Sequence, residues 1–261
     1  MLIETLDWLR ITTEGGMSQV LRRLRISYKR GRDYVHSPDP HYEEKRDLIK
    51  QIWQQVSTTR ELNELLYMDE FTCYRQPTLA RAYEASGHDQ PLAHRSHMSN
   101  TSFRIVATMN AFSGQVIYRQ RSHTDVSCLA GFWNDIRAAY PHAKNIYVVL
   151  DNWPVHFHPD VLAPLKSQKF PWPPKLPGNW PTEPSYQVTH DLLPIQLLCL
   201  PTYASWLNPI EKLWRWLQQD ILHLHRYSDD WQKLKERVAE FLGQFQHGST
   251  SLLRYTGLLP K

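Results

Sequence analysis

A chain of 261 residues has room for one good-sized core and a smaller accessory unit. Its 41% apolar content, with 10 Trp, 13 Tyr and 18 Pro, excludes a disordered polymer and favours a packed, loop-rich globule. The net charge of +4 permits nucleic acid as a partner without demanding it. No apolar run reaches the roughly 18 residues of a membrane span, and the first residues lack the order of a signal peptide, so a cytoplasmic protein with no membrane partner is expected. Cys73, Cys128 and Cys199 are odd in number and far apart, which fits neither a disulfide framework nor a cysteine zinc site.

Leu2, Ile3, Leu6 and Leu9 have helical spacing over residues 2–11, and after Gly15-Gly16 a second face follows with Met17, Val20, Leu21 and Leu24. Helix, glycine turn, helix is the helix-turn-helix outline. Arg22, Arg23 and Arg25 lie off the second apolar stripe, and Lys29, Arg30 and Arg32 continue a basic surface that contains no acid. Such a surface suits a recognition helix and a tail gripping the DNA backbone; a helical hairpin with a solvated basic face accounts for it equally well. Ser37-Pro38-Asp39-Pro40 interrupts the chain and places a linker at about residues 33–41. Leu48, Ile49, Ile52, Trp53 and Val56 then line an amphipathic helix over 42–56.

An apolar strand over 65–68 leads into Asp69, and 103–109 with 116–121 flank Ser113-Gly114 as a hairpin. A helix follows at about 125–139, and a strand over 146–150 leads into Asp151. This order predicts an α/β fold with a mixed sheet. Prolines from Pro171 to Pro194 rule out a long helix over 166–194 and mark an inserted loop. A buried strand over 195–200, a helix over 208–222 and a final amphipathic helix over 231–245 complete the chain. The expected organisation is a partial helix-turn-helix region over 1–35, a linker and connecting helix over 36–63, and a catalytic domain over 64–261.

Asp69 and Asp151 are expected at strand ends, where an α/β sheet gathers its functional groups. Either acid alone is more simply read as facing water or capping the next segment. Glu211 has a structural explanation of its own: Asn208 as helix N-cap, Pro209 in the first turn and Glu211 closing a capping box. Trp206, Leu207, Leu213, Trp214 and Leu217 would dock that helix on a core and so fix Glu211 relative to the sheet. Three such acids suit Mg²⁺, which prefers carboxylate oxygens, and two ions can serve phosphodiester displacement. His156 and His158 raise a histidine metal centre as a rival, but their spacing repeats no zinc motif, and satisfied or exposed histidines explain them more simply.

Three stretches carry a specific resemblance: Tyr67-Met68-Asp69-Glu70; Val149-Leu150-Asp151-Asn152 with His156 following; and the run from Leu200 through Trp206-Leu207-Asn208-Pro209-Ile210-Glu211 to Trp214. Together they resemble the DDE transposases of bacterial insertion sequences in the mariner superfamily, over about residues 17–222. Ser27-Tyr28-Lys29-Arg30-Gly31-Arg32 is similar to the junction after that family's DNA-binding helices.

The resemblance implies an RNase H-like catalytic domain, two Mg²⁺ or Mn²⁺ ions, cleavage at transposon ends and transfer of the freed 3′-hydroxyl into target DNA. It makes Asp69, Asp151 and Glu211 the metal-holding catalytic acids, with Asn152 and His156 in support. The partners it implies are double-stranded DNA and a homodimer or higher assembly on it. Two departures stand out: the interval from Asp151 to Glu211 is long because of 166–194, and the N-terminal region has space for one helix pair, which predicts affinity for many duplexes more than selectivity, or help from an upstream reading-frame product. The rival readings are a silent DNA-binding relic or regulator and a host nuclease of the same architecture. For 166–194 the expectation is an exposed arm offering Trp172 and Trp180 as contacts, against a self-packed loop that hides both.

Overall fold

A computed structural model describes residues 13–27, 36–189 and 191–259. The chain divides into two compact units, Met1–His36 and Ser37–Lys261.

In the first unit, α1 (Glu14–Arg23) starts at Thr13, whose side chain accepts from the Gly16 N–H. Gly15 and Gly16 therefore belong to the first helical turn instead of forming a turn between helices, because the threonine cap satisfies the free N–H groups upstream of them. Met17, Val20 and Leu21 are half-buried while Arg22, Arg23 and Arg25 are exposed, as the stripe predicts. The helix expected over 2–11, and Lys29, Arg30 and Arg32, lie outside the described residues.

The second unit opens with α2 (Tyr42–Thr58) and is built on a five-stranded sheet: β1 (Asn63–Tyr74), β2 (Ser102–Asn110), β3 (Val116–Arg121), then, after α3 (Val126–Ala139), β4 (Asn145–Leu150), and, after the short α4 (Pro159–Leu162), β5 (Ile195–Cys199). Its order is β3-β2-β1-β4-β5. β1 pairs antiparallel with β2 and parallel with β4, and β5 extends the parallel half. The chain ends with α5 (Ile210–Leu217), which runs into a π-helical turn over Gln218–Leu222, then α6 (Trp231–Gly243) and α7 (Thr250–Thr256).

Strand alternation sorts the core into two layers. Leu65, Tyr67, Ile105, Met109, Tyr147 and Val149 pack with Ile49, Leu213, Leu217, Leu234, Val238 and Leu252 from α2, α5, α6 and α7. Leu66, Met68, Val106, Val148 and Leu150 face Leu129, Phe132, Trp133 and Ile136 of α3. α7 reaches the hairpin: Gly114 has φ +67, and a Cβ there would lie 2.5 Å from the Ser249 carbonyl, so only glycine lets the two segments touch.

β1 is longer than its apolar run because antiparallel pairing with β2 continues from Leu66↔Asn110 to Tyr74↔Ser102. Asp69 therefore lies within β1, not at its end. Segment 166–194 is not a free arm. Leu165 bridges Leu193 at its base, Ser185 and Tyr186 hydrogen-bond to Asp160, and Trp172 and Trp180 are half-buried with their rings 5.8 Å from His41 and 5.0 Å from His158. Prolines remove regular structure from this segment without preventing side-chain anchorage. Cys73, Cys128 and Cys199 are free thiols, and no helix among the described residues is long and apolar enough to cross a membrane.

Candidate active site

The parallel register of β1 and β4 ends at Tyr67↔Val149. Two positions beyond that pair on each chain come Asp69 and Asp151, so the sheet itself delivers both acids to the carboxyl edge of its parallel half. The third acid, Glu211, stands on the first turn of α5.

Two contacts moor α5 to β1. Asn208 Nδ2 donates to the Met68 carbonyl at 3.0 Å, and Trp214 Nε1 donates to Asp69 Oδ2 at 2.8 Å, with the Trp214 ring stacked on Phe71 at 5.1 Å. The Asn208 side chain makes no cap bond, so the expected capping box does not form; its amide is spent on the strand carrying Asp69. Glu211 is thus free to face its acidic neighbours.

Those neighbours repel one another. Burial, and then the charges of Glu211 and Glu70, push the Asp69 carboxyl up to about 8 against the hydrogen bonds it accepts from Trp214 and the backbone. Glu211 is raised by partial burial and by Asp151, against the pull of Arg215. Burial also acts to raise Asp151, but the His156 hydrogen bond, the Trp153 N–H at 2.9 Å and the His156 charge hold it below the ordinary carboxylate range. Asp151 and Glu211 are exposed and Asp69 half-buried, so the three form an open rim. A cavity of about 710 Å³ beside α3, lined by Asp125, Asn134, Asp160 and Tyr186, includes none of them.

On the opposite face of β1, Glu70 meets His156. The imidazole is 1% exposed, with Nε2 3.2 Å from Asp151 Oδ1 and 3.6 Å from Glu70 Oε2. Burial lowers its pKa, but the Glu70 charge, the bonds to both carboxylates and the Asp151 charge outweigh that and lift it to about 9. One ligand-type atom from each of Glu70, Asp151 and His156 falls within 4.8 Å of the others. A ring with that pKa is an imidazolium at neutral pH, a counter-ion to carboxylates, whereas a metal ligand must be neutral. His156 therefore neutralises, while Asp69 and Glu211 remain without a matching cation. His158 caps α4 by accepting from the Asp160 N–H at 3.2 Å.

Asn152 Nδ2 donates to the Leu200 carbonyl at 2.8 Å and reaches Thr202 Oγ1 at 3.5 Å, tying the loop after β4 to the one after β5. Sequence reasoning gave no role to Glu70. Its only signal was adjacency to Asp69, and alternation places adjacent residues on opposite faces. A divalent cation fits the donor set, since Mg²⁺ and Mn²⁺ take carboxylate oxygens and positive charge would relieve the repulsion that raises Asp69.

This fold and its acids define a class before any particular relative. Residues 64–235 match the DDE superfamily endonuclease family, and the chain belongs to that family. Over 217 residues it is 21% identical to the "Insertion element IS630 uncharacterized 39 kDa protein" of Shigella sonnei, covering 83% of this chain and 54% of that one, so the chain spans about half the length of the curated relative it matches. Among solved structures it is similar to the Mos1 mariner paired end complex with Mn, at a TM-score of 0.63 and 16% identity over 100% of this chain and 70% of the other. It is also similar to the Mos1 strand transfer complex, at 0.63 and 17% over 99% and 69%. At such identities the likeness is one of fold, and the mixed sheet flanked by helices is the RNase H-like architecture expected from the sequence.

Proposed function

We propose that the chain acts as a transposase, cutting DNA at the ends of a mobile element and joining the freed 3′-hydroxyl to target DNA, with Asp69, Asp151 and Glu211 as the metal-holding acids. The observation that carries this reading is the charge conflict at the carboxyl edge of the parallel strands, where Asp69 is pushed up to about 8 beside Glu211 and Glu70. Carboxylates so perturbed in an accessible place mark a functional site, because their repulsion costs stability unless a ligand relieves it. The insertion-element relative and the Mos1 complexes with transposon ends and strand-transfer product support the same direction.

Two Mg²⁺ or Mn²⁺ ions, when bound, would activate the attacking oxygen and stabilise the leaving oxygen. The protein supplies the frame. Trp214 and Asn208 hold β1 against α5, so Asp69 and Glu211 keep their spacing. His156 orients Asp151 from below and Asn152 ties its loop to the next. Double-stranded DNA is the substrate, its phosphates met by the exposed Arg22, Arg23 and Arg25, together with Lys29, Arg30 and Arg32, in a homodimer or higher assembly on DNA.

The test uses a duplex bearing the inverted repeats that flank the gene, incubated with the full chain and Mg²⁺ or Mn²⁺. Nicks leaving a 3′-hydroxyl at the repeat boundary are expected from the wild type and not from Asp69→Asn. A wild-type protein that binds the repeats but never cuts them with either metal would sink the reading in favour of a DNA-binding regulator.

A further inference from the structure

Between β5 and α5 the chain makes a ten-residue passage, 200–209, that holds two outward-facing aromatic rings. Tyr203 is 76% exposed and Trp206 49% exposed. Tyr203 also has φ 54, the left-handed region that glycine or asparagine enters readily and an aromatic residue enters at a cost.

The surroundings enforce that strained backbone. The Thr202 N–H donates to Asp39 Oδ2 at 2.8 Å, the Thr202 carbonyl accepts from Ser37 Oγ at 2.5 Å, and Asn152 Nδ2 binds the Leu200 carbonyl. Asp39 is itself fixed by Lys45 at 2.8 Å, in an ion pair whose side chains are only 4% and 6% exposed. On the far side Ala204 is 2% exposed and its N–H donates to the Pro201 carbonyl at 3.2 Å. Strain over-determined in this way is stored for a purpose, and here its effect is to aim a large ring away from the core that would otherwise bury it.

The same loop delivers Glu211, and it is bonded through Asn152 to the segment that starts with Asp151. A DNA strand lying across the acidic rim must pass it. The geometry points to Tyr203 as a stacking residue for a base unpaired from the duplex end at the cleavage site, with Trp206 as a second platform. Aromatic faces accept any base, and such stacking is sequence-tolerant. This rests on the reading of the three acids as the cleavage site. An interface with a second protein chain would use the same exposed rings, but it gives no reason for their place in the loop that carries Glu211.

The test compares a blunt duplex with the same duplex ending in three unpaired bases, one of them 2-aminopurine, bound by the full chain without divalent metal. The wild type and Tyr203→Phe should bind the frayed end more tightly than the blunt one and quench the probe. Tyr203→Gly should bind the frayed end about tenfold more weakly with blunt-end affinity unchanged, while its melting temperature stays equal or rises because glycine relieves the backbone strain. A merely structural tyrosine would not separate stability from binding in that way. Unchanged quenching by Tyr203→Gly overturns the proposal, as does a shift from dimer to monomer in light scattering with quenching intact, which would assign the ring to a protein interface. Quenching by a wild type that never cuts with Mg²⁺ leaves the stacking role standing and removes the transposase; cutting without quenching does the reverse.

Discussion

Asp69 and Glu70 are consecutive on one strand and live in opposite electrostatic worlds. Glu70 faces His156, an imidazolium that it shares with Asp151, and the charge on that side is balanced inside the protein. Asp69 faces Glu211 across an indole N–H, and nothing cationic adjoins it closely enough to keep its carboxyl from rising to about 8. The strand's two-residue period produces the separation, placing one acid in a neutralised scaffold and its neighbour in an unneutralised one. The lesson is that acidity alone does not define the site: the acids to watch are those the protein declines to pair.

The sharpest way to break this comparison is Asp69→Asn. On the unpaired side, removing a negative charge relieves repulsion, so the metal-free melting temperature should hold or rise. Metal-dependent cleavage should fall by about a thousandfold or more, the equivalent of several kcal/mol of lost charge stabilisation in the transition state. Single-turnover cleavage beside thermal unfolding measures both. A variant that unfolds more readily and still cuts would place Asp69 among the structural acids.

On the paired side the expectation inverts. His156→Ala leaves Glu70 and Asp151 without their shared cation, and should cost about 2 kcal/mol of stability in urea unfolding, below the full figure for a buried pair because Asp151 is exposed. If His156→Ala unfolds like the wild type, the imidazolium is not the counter-ion.

Titration separates the two sides further. Asp69 is an acid with a raised folded pKa, so its contribution is fully present below about 3.8 and lost as pH rises through about 8. His156 is a base with a raised folded pKa, so its contribution is present below about 6.5 and lost as pH rises through about 9. Metal-free stability should therefore decline with pH across both windows. Asp69→Asn should flatten the lower one and His156→Ala the upper, and added Mg²⁺ should restore stability near pH 8 by binding the folded carboxylates. Urea midpoints measured from pH 4 to 9 give the profile; a decline unaffected by either substitution would assign it to other groups.

Much of the frame was legible in the residues. Period-2 apolar runs located β3, β4 and β5 closely, and Asp125 before an apolar helix marked the start of α3, where its side chain does accept the Cys128 N–H. The length of β1 was not legible, because what carries it past Asp69 is pairing with β2, a contact made by distant residues. α7 is seven residues long, too short for its periodicity to stand out, and is defined by Ser249 at one end and left-handed Gly257 at the other. At the site, Asp69, Asp151 and Glu211 could be named from their motifs. Glu70 and the true task of Asn208 could not, since each depends on a partner that only the folded chain brings near: His156 for one, the Met68 carbonyl for the other.

The finest probe of the unpaired side is Trp214→Phe. Phenylalanine keeps an aromatic ring against Phe71, with which Trp214 now stacks at 5.1 Å and 16°, so the core loses little of its packing. What disappears is the indole N–H on Asp69 Oδ2 at 2.8 Å, the one side-chain hydrogen bond that favours the charged carboxylate there. A hydrogen bond to a charged group contributes on the order of 1.5 kcal/mol, so Asp69 should become harder to ionise and cleavage at neutral pH should fall about tenfold. The loss should shrink as pH or Mg²⁺ concentration rises, because either restores the carboxylate. A rate deficit that persists at high pH and saturating Mg²⁺ would mean the indole holds the geometry of α5 instead of the charge on Asp69, and the contrast between the two faces of β1 would then be one of shape as much as of electrostatics.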